Sequence, residues 1–458
     1  MRPILSGLVA LLVLVGGSPI AAQDLGARLD SAMRAAEARG FSGVVRVERN
    51  GVTLLKGGYG LADRGARIPF TPASVVQIGS NTKDFTAVAV LQLQRQGRLS
   101  LGDPLMKYFP AAPADKRDIT MAQLLDHRAG FPLGLGGDFE PVTRAALVDS
   151  AMRVTLLFAP GTRASYSNTG YSLLAAIIEQ ITGRTYDEHV RDAILAPLGL
   201  RRTGFLLPGF AAADLAHGYL GSGTDAGTML ARPHAPDGPW WNLRGNGGML
   251  STVDDMHAFY SALFDGGALL SRADRGARFD PDEPIGLAGS DGVNFFLYDR
   301  DPQSGTEIII ASTNAAARAP MIRRALGPLL GLPDPEQGGG ELARRAGGRP
   351  APEAMARVLA GLVHMLNTRD TANARRFITE HFVIEPGTPS VEERVQRMVG
   401  MRERLGALTI IGVETFDDGP AEVRLRSAQE DGVLLRVAIE RVAPYRIRGL
   451  QVQLGGPN

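Results

Sequence analysis

The sequence predicts an α+β chain in two parts: an antiparallel sheet flanked by helices with an all-helical subdomain, then a small second α+β domain. Three observations carry this. Strand-like stretches lie at both ends of residues 23–331, with a mostly helical middle, as when one sheet is covered by helices. Residues 332–352 hold Pro-Asp-Pro, a Gly-Gly-Gly run and Arg-Pro-Ala-Pro, and read as a linker. Residues 353–458 then change pattern, with three helical stretches followed by four strand-like ones.

The elements follow in order. Asp24 to Arg39 places Leu25, Leu29, Met33 and Ala36 on one helical face. Residues 42–49 read as a strand, Asn50-Gly51 as a two-residue hairpin turn, and Val52 to Gly58 as the returning strand. A long helix is expected from Ser80 to Gly97, with Phe85, Val88 and Leu91 on one face. A second helix is expected from Gly170 to Ile181, ended by Gly183. Gly292 to Asp299 and Glu307 to Ser312 look like an antiparallel pair, and Ala315 to Leu330 like a closing helix. In the second part, helices fit 352–366, 370–381 and 390–405, and strands 408–416, 421–427, 433–442 and 446–454. Asp431-Gly432 marks a hairpin there, and Val433, Leu435, Val437 and Ile439 alternate as a half-buried strand requires.

The N-terminus reads as a secretory signal over residues 1–22. Arg2 supplies the positive charge, Ile4 to Val15 the apolar core, and Ser18-Pro19-Ile20-Ala21-Ala22 the small residues for cleavage. The apolar core is shorter than the ~20 residues a bilayer span needs, so a periplasmic or secreted protein is expected, with a signal anchor as the alternative. The chain contains no Cys, so it relies on no disulfides. A net charge of +1 gives no reason to expect nucleic acid as a partner. The seven His are scattered without metal-ligand spacing, and no metal or cofactor is expected. The expected partner is a small-molecule or peptide-like substrate.

The chemistry begins with a count. Of 49 Lys+Arg, only Lys56, Lys83, Lys107 and Lys116 are lysines. Where Arg serves almost every positive charge, a retained Lys invites a reason, and the reason available to Lys alone is that it can deprotonate. Lys83 lies three residues after Ser80, on the same helical face, so its amine can reach the hydroxyl. Ser80 itself has two readings at a helix start: an N-cap, or a nucleophile facing the free N–H groups and positive end of the helix. A second element is Tyr166-Ser167-Asn168. A tyrosine can shuttle a proton if a neighbouring ammonium lowers its pKa. An asparagine two residues on can hold the lysine or a substrate amide.

These motifs, taken in order, resemble those of the class C β-lactamase-like serine hydrolases, which include penicillin-binding proteins, esterases and aminopeptidases. The resemblance rests on Ser80-Asn81-Thr82-Lys83 with Arg98-Leu99-Ser100-Leu101-Gly102-Asp103-Pro104, and on Leu124-Leu125-Asp126-His127-Arg128-Ala129-Gly130. It continues through Tyr166-Ser167-Asn168, Ala196-Pro197-Leu198-Gly199-Leu200 and Gly247-Gly248-Met249-Leu250-Ser251-Thr252 with Asp254-Asp255-Met256, covering roughly residues 28–330. It implies a β-lactamase-like α/β fold and an acyl-enzyme on Ser80. It also implies that Lys83 and Tyr166 share the proton work, that Asn168 positions them or the substrate, and that the N–H of Ser80 forms half of an oxyanion hole. The second domain resembles, in element order alone, the nuclear-transport-factor-like or cystatin-like folds.

The chain departs from the family at its third motif. Where a Lys or His, a small residue and a Gly are usual, this sequence has Leu287-Ala288-Gly289, followed by Ser290. Gly289 still permits close approach of the strand, and the N–H of Ser290 is placed to complete the oxyanion hole. The cation that would meet a substrate carboxylate is replaced by Leu287. The expected function is therefore an exported serine hydrolase cleaving an ester or amide. The alternatives are a penicillin-recognising D,D-peptidase or β-lactamase, with Arg244 as the substitute cation, and a non-catalytic ligand-binding protein. His127 is read as structural. Trp240-Trp241 are open between pocket wall and core. No Gly-x-Ser-x-Gly occurs, which argues against an α/β-hydrolase elbow.

Overall fold

The computed structural model describes residues 19–206, 209–220, 223–291, 293–314, 319–333, 348–350, 353–368, 370–384, 389–416, 421–427, 429, 433–439 and 446–454. The expected signal lies outside the described residues up to residue 18, as do most of the expected linker and the Asp431-Gly432 turn. No helix of the described residues is long and apolar enough to cross a membrane.

The first helix, α1 (Pro19–Ala38), begins five residues earlier than its periodicity predicts. Strands β1 (Gly43–Arg49) and β2 (Val52–Tyr59) pair antiparallel around Asn50-Gly51. Both turn residues have positive φ, 51° and 77°, which matches the twist of the flanking strands. The chain then crosses to the helical region. It returns as β3 (Ile285–Ser290), β4 (Phe295–Asp301) and β5 (Thr306–Ser312), and closes with a helix at Ala319–Leu326. The sheet order is β2-β1-β5-β4-β3, antiparallel throughout, so the N-terminal strand pairs with the last one and β3 is left at an edge.

Alternation along these strands separates two cores. Val44, Phe296, Tyr298, Ile309 and Ala311 face the helical region, whereas Val45, Val47, Leu297, Ile308 and Ile310 face α1 and the closing helix. At the centre of the helical region are α2 (Thr82–Arg95) and α3 (Asn168–Thr182), both buried along most of their length. The Ser167 hydroxyl caps α3 by accepting from Gly170 N–H, and Gly183 ends it in the left-handed conformation. A further helix, α4 (Val253–Phe264), joins α2 to the sheet, with Phe259 stacked on Phe85 at 3.9 Å between ring centroids.

The second unit has its own core. Its strands 348–350, 408–416, 421–427, 433–439 and 447–454 pair antiparallel in that order. Its helices are Glu353–Asn367, Thr371–His381 and Val391–Leu405. Val433, Leu435 and Val437 are buried with Leu359, Leu362 and Ile378, as their alternation predicts. The segment read as linker differs at one point. Gly348–Pro350 forms an edge strand on Glu414–Phe416, a place where a Pro without an N–H is tolerated.

Phe85 fills the space between α2 and α4 with no exposure. Phe85→Ala is therefore expected to lower the unfolding free energy of the first unit by about 3–5 kcal/mol, read from a denaturant titration.

Candidate active site

Ile78 leaves a two-residue strand at Val76–Gln77, paired with Leu250–Ser251, and the chain turns sharply at Gly79, whose φ is +52°. Gly79–Asn81 forms one turn of 3-10 helix before α2 begins at Thr82. Ser80 therefore sits in that turn and caps nothing: neither helix start has a side-chain cap. Its hydroxyl is shared instead between Lys83 and Tyr166. The turn is anchored from below, since Asn81 Nδ2 donates to Tyr260 Oη at 2.7 Å and Tyr260 Oη donates to Asp84 Oδ2 at 2.8 Å.

Lys83 Nζ lies 3.2 Å from Ser80 Oγ and donates to the main-chain carbonyl of Asn246 at 2.7 Å. The side chain is buried, its amine resting over the rings of Tyr166 and Tyr171, 4.7 and 5.7 Å from their centroids. Burial pushes its pKa down to about 7, against the upward pull of the Asp84 and Asp138 carboxylates. Tyr166 differs from the expectation. Burial raises its pKa, and the hydrogen bond with Ser80 opposes that only in part. The amine above the ring face does not make a phenolate, and Tyr166 rests as a neutral phenol.

Asn168 opens α3 beside Tyr166, and its N–H donates to Leu133 O at 2.7 Å. It does not hold the lysine, whose bonds go to Ser80 and Asn246. Asn168 Oδ1 is a fully buried acceptor without a hydrogen-bond partner among the described residues. His127 supports this wall. Its Nδ1 accepts from Ser167 N–H at 3.1 Å, its carbonyl accepts from Ser165 N–H, and its ring lies 4.4 Å from that of Tyr166. Burial, then the charges of Lys83 and Arg278, push its pKa down to about 3, so it stays a neutral positioning group.

The edge strand β3 closes the other side. A β-carbon on Gly289 would lie 2.1 Å from Ile78 O and 2.6 Å from Ser80 N, and one on Gly79 would lie 2.4 Å from Ser290 N. The two glycines therefore let the N–H groups of Ser80 and Ser290 come together, the pairing an oxyanion needs. Leu287, on the same face of β3 as Gly289, packs half-buried against the helical-side core and presents no charge.

Arg244 does not replace the missing cation. It is 1% exposed, paired with Asp237 at 2.8 and 3.0 Å, donating to Pro239 O and Glu179, and stacked on Trp241. Trp241 accordingly belongs to the core. What this clamp fixes is the loop that carries Asn246. Ser172 Oγ donates to Arg244 O, Thr86 Oγ1 to Gly245 O, and Asn246 Nδ2 to Ser172 Oγ and Asn242 O. Sequence reasoning missed Asn246, because its contribution is a carbonyl every residue possesses; its place just before Gly247-Gly248 was the one available signal. A separate cavity of 510 Å³ lies beyond His127, between Leu91, Leu101, Leu125 and Arg278; Ser80, Lys83 and Tyr166 are not among its lining residues.

The Beta-lactamase family model matches residues 29–317. PbpX of Bacillus subtilis (strain 168) is 31% identical over 258 residues, which cover 56% of this chain and 62% of that protein. The chain thus spans less than two thirds of that relative's length. The D-amino acid amidase of Ochrobactrum anthropi SV3 superposes with a TM-score of 0.52 at 25% identity, covering 64% of this chain and 92% of its own. The octameric penicillin-binding protein homologue of Pyrococcus abyssi shares the fold over 93% of this chain and 99% of its own, with a TM-score of 0.59 at 20% identity.

Lys83 titrates near 7 when folded and at the ordinary 10.5 when unfolded, so the unfolded chain binds more protons between these values. Stability is expected to rise with pH across that window, as the buried amine sheds its charge. Denaturant titrations from pH 7 to about 10 should show this rise in the wild type and a smaller one in Lys83→Met. Equal slopes would contradict the burial of a titrating amine.

Proposed function

The chain belongs to the β-lactamase family, and we propose that within it this protein is an exported serine hydrolase that cleaves an ester or amide through an acyl-enzyme on Ser80. One observation carries this reading: a buried amine, neutral above about pH 7, in hydrogen-bond contact with the Ser80 hydroxyl. In this reading Lys83 takes the hydroxyl proton as Ser80 Oγ attacks the substrate carbonyl. The oxyanion is met by the N–H groups of Ser80 and Ser290. The bond to the leaving group then breaks, and the neutral Tyr166 phenol hands that group its proton, with Lys83 restoring the phenol. Water repeats the sequence on the acyl-enzyme and frees Ser80. Asn168, beside Tyr166 at the start of α3, positions the catalytic groups or the substrate. An amidase among the structural neighbours agrees with acyl transfer of this kind.

The penicillin-recognising alternative needs a cation for the substrate carboxylate. Leu287 supplies none, and Arg244 is already committed to Asp237 and Glu179. A carboxylate left unpaired beside Leu287 would cost several kcal/mol.

The test of the nucleophile is intact mass after treatment with a fluorophosphonate. One adduct on the wild type, absent from Ser80→Ala, is expected; an adduct that survives in Ser80→Ala overturns the assignment. Lys83→Arg keeps the charge but cannot deprotonate, and is expected to lose at least ~10²-fold in kcat/KM for a model ester. In the wild type the same constant should fall as pH drops below about 7, where the amine becomes charged. Neutral esters such as p-nitrophenyl butyrate should be turned over well and penicillins poorly, with Leu287→Lys shifting the ratio toward anionic substrates. Efficient hydrolysis of nitrocefin by the wild type would reverse that preference.

A further inference from the structure

The cavity beyond His127 has a polar lining that the mechanism above leaves unused. It lies beside α2, whose Leu91 and Gln94 form one wall, and against the turn at Arg272–Phe279, which supplies Arg275 and Arg278. Leu101, Ala122 and Leu125 add to its apolar lining. Its volume of 510 Å³ falls within the range of small-molecule sites, about 300–1,000 Å³. Asp126, Ala273 and Gly276 are exposed, so the cavity opens to solvent on that side.

The polar groups left over in this lining are donors. Arg275 is 7% exposed, and its guanidinium meets only main-chain carbonyls. Nη1 donates to Leu263 O and Phe264 O at the C-terminal end of α4, and Nε to Ser271 O at 3.4 Å. Among the described residues its Nη2 has no hydrogen-bond partner, and no carboxylate lies within 4 Å of the guanidinium. His127 accepts at Nδ1 from Ser167 N–H, so the proton of its neutral ring sits on Nε2, which is likewise without a partner among the described residues. Gln94 uses Oε1 to accept from Leu101 N–H and keeps its amide donors. The two acids of the lining are taken: Asp126 by Arg278, and Asp274 by the hydroxyl and N–H of Ser271. A buried guanidinium short of an anion, with two neutral donors in an otherwise apolar cavity, suits one ligand chemistry: a carboxylate on an apolar body.

We propose that this cavity is a second ligand site, for a monocarboxylate with a medium-length apolar chain, and that its occupancy restrains turnover at Ser80. The carboxylate would meet Arg275, with His127 Nε2–H and the Gln94 amide as the further donors of the lining, and the chain would lie along Leu91, Leu101 and Leu125. The restraint would pass through two residues that the cavity shares with the active site. The His127 ring lies 4.4 Å from that of Tyr166, and Arg278 Nη1 donates at 3.2 Å to the hydroxyl of Tyr171, whose ring covers Lys83. An anion in the cavity competes for both groups and so loosens the two rings that enclose the amine. The site itself stands on the cavity alone; the effect on turnover rests on the acyl-enzyme reading above.

Isothermal titration calorimetry of the full chain with octanoate reads the site without turnover. The wild type is expected to bind octanoate at least about tenfold more tightly than 1-octanol, which has the same chain and no charge. Arg275→Gln should weaken octanoate binding at least about tenfold and leave octanol binding unchanged. Ala122→Phe, which fills the cavity, should abolish binding of both while still hydrolysing p-nitrophenyl butyrate at the wild-type rate. In the wild type, saturating octanoate should lower kcat for that ester at least about twofold without raising KM, and should not do so in Ala122→Phe. Absence of octanoate binding, equal binding of octanoate and octanol, or undiminished binding in Ala122→Phe would overturn the site. A rise in KM alone would place octanoate in the catalytic cleft and overturn it too, and binding with kcat unchanged would overturn the restraint. If octanoate binds as expected but no ester is hydrolysed and no fluorophosphonate adduct forms, the acyl-enzyme reading has failed and the restraint falls with it, while the site stands.

Discussion

The structure depends on keeping one amine dry. Lys83 is buried at the start of α2 with two tyrosine rings over it, and two groups accept or share its hydrogen bonds: the Ser80 hydroxyl and the carbonyl of Asn246. Removing an ammonium from water is costly enough to bring its pKa down to about 7. In the proposed acyl-enzyme reading that cost is what lets Lys83 act as a base at neutral pH, because a lysine at its ordinary pKa is almost wholly protonated. Much of the helical region can be understood as the enclosure that maintains it. His127 backs Tyr166, Tyr171 roofs the amine, and the Arg244 clamp holds the loop that offers the Asn246 carbonyl.

The second constraint is steric and belongs to the sheet. Edge strand β3 lies so close to the Gly79–Asn81 turn that neither Gly289 nor Gly79 has room for a β-carbon. An edge position suits this purpose. β3 is hydrogen-bonded to β4 on one side, which fixes its register, and leaves its other side to face the site. The same register sets Leu287 on the face of Gly289. One short strand therefore carries both the close approach to the Ser80 turn, at Gly289, and the uncharged side chain of Leu287, two residues apart.

Arg244 shows how a buried charge is used here. A guanidinium 1% exposed requires full pairing, and Asp237, Glu179 and Pro239 O provide it. Having been paired, it is no longer available to a ligand. Asp138 is the converse case, a carboxylate at the cleft without a partner among the described residues. The electrostatic character of the site follows from which charges the fold has already neutralised, not from which are near it in sequence.

Much of this was legible from residues alone. Asn50-Gly51 specified its hairpin because few other pairs accept two positive φ angles, and Phe85, Val88 and Leu91 specified the buried face of α2 because spacing along a helix is a local property. Ser80 and Lys83 at i and i+3 were legible for the same reason, as was the loss of a cation at Leu287, since side-chain identity is what a sequence states. The tertiary structure decided the rest. It placed Ser80 in a 3-10 turn rather than at a cap, set the pKa of Lys83 by burial, kept Tyr166 a neutral phenol, and enlisted a main-chain carbonyl that no motif records. It also bound Arg244 away from the site and left Asp138 without a partner among the described residues. These are properties of contacts between residues tens to hundreds of positions apart, and the free energy of a charge or a proton depends on those contacts rather than on the residue that carries it.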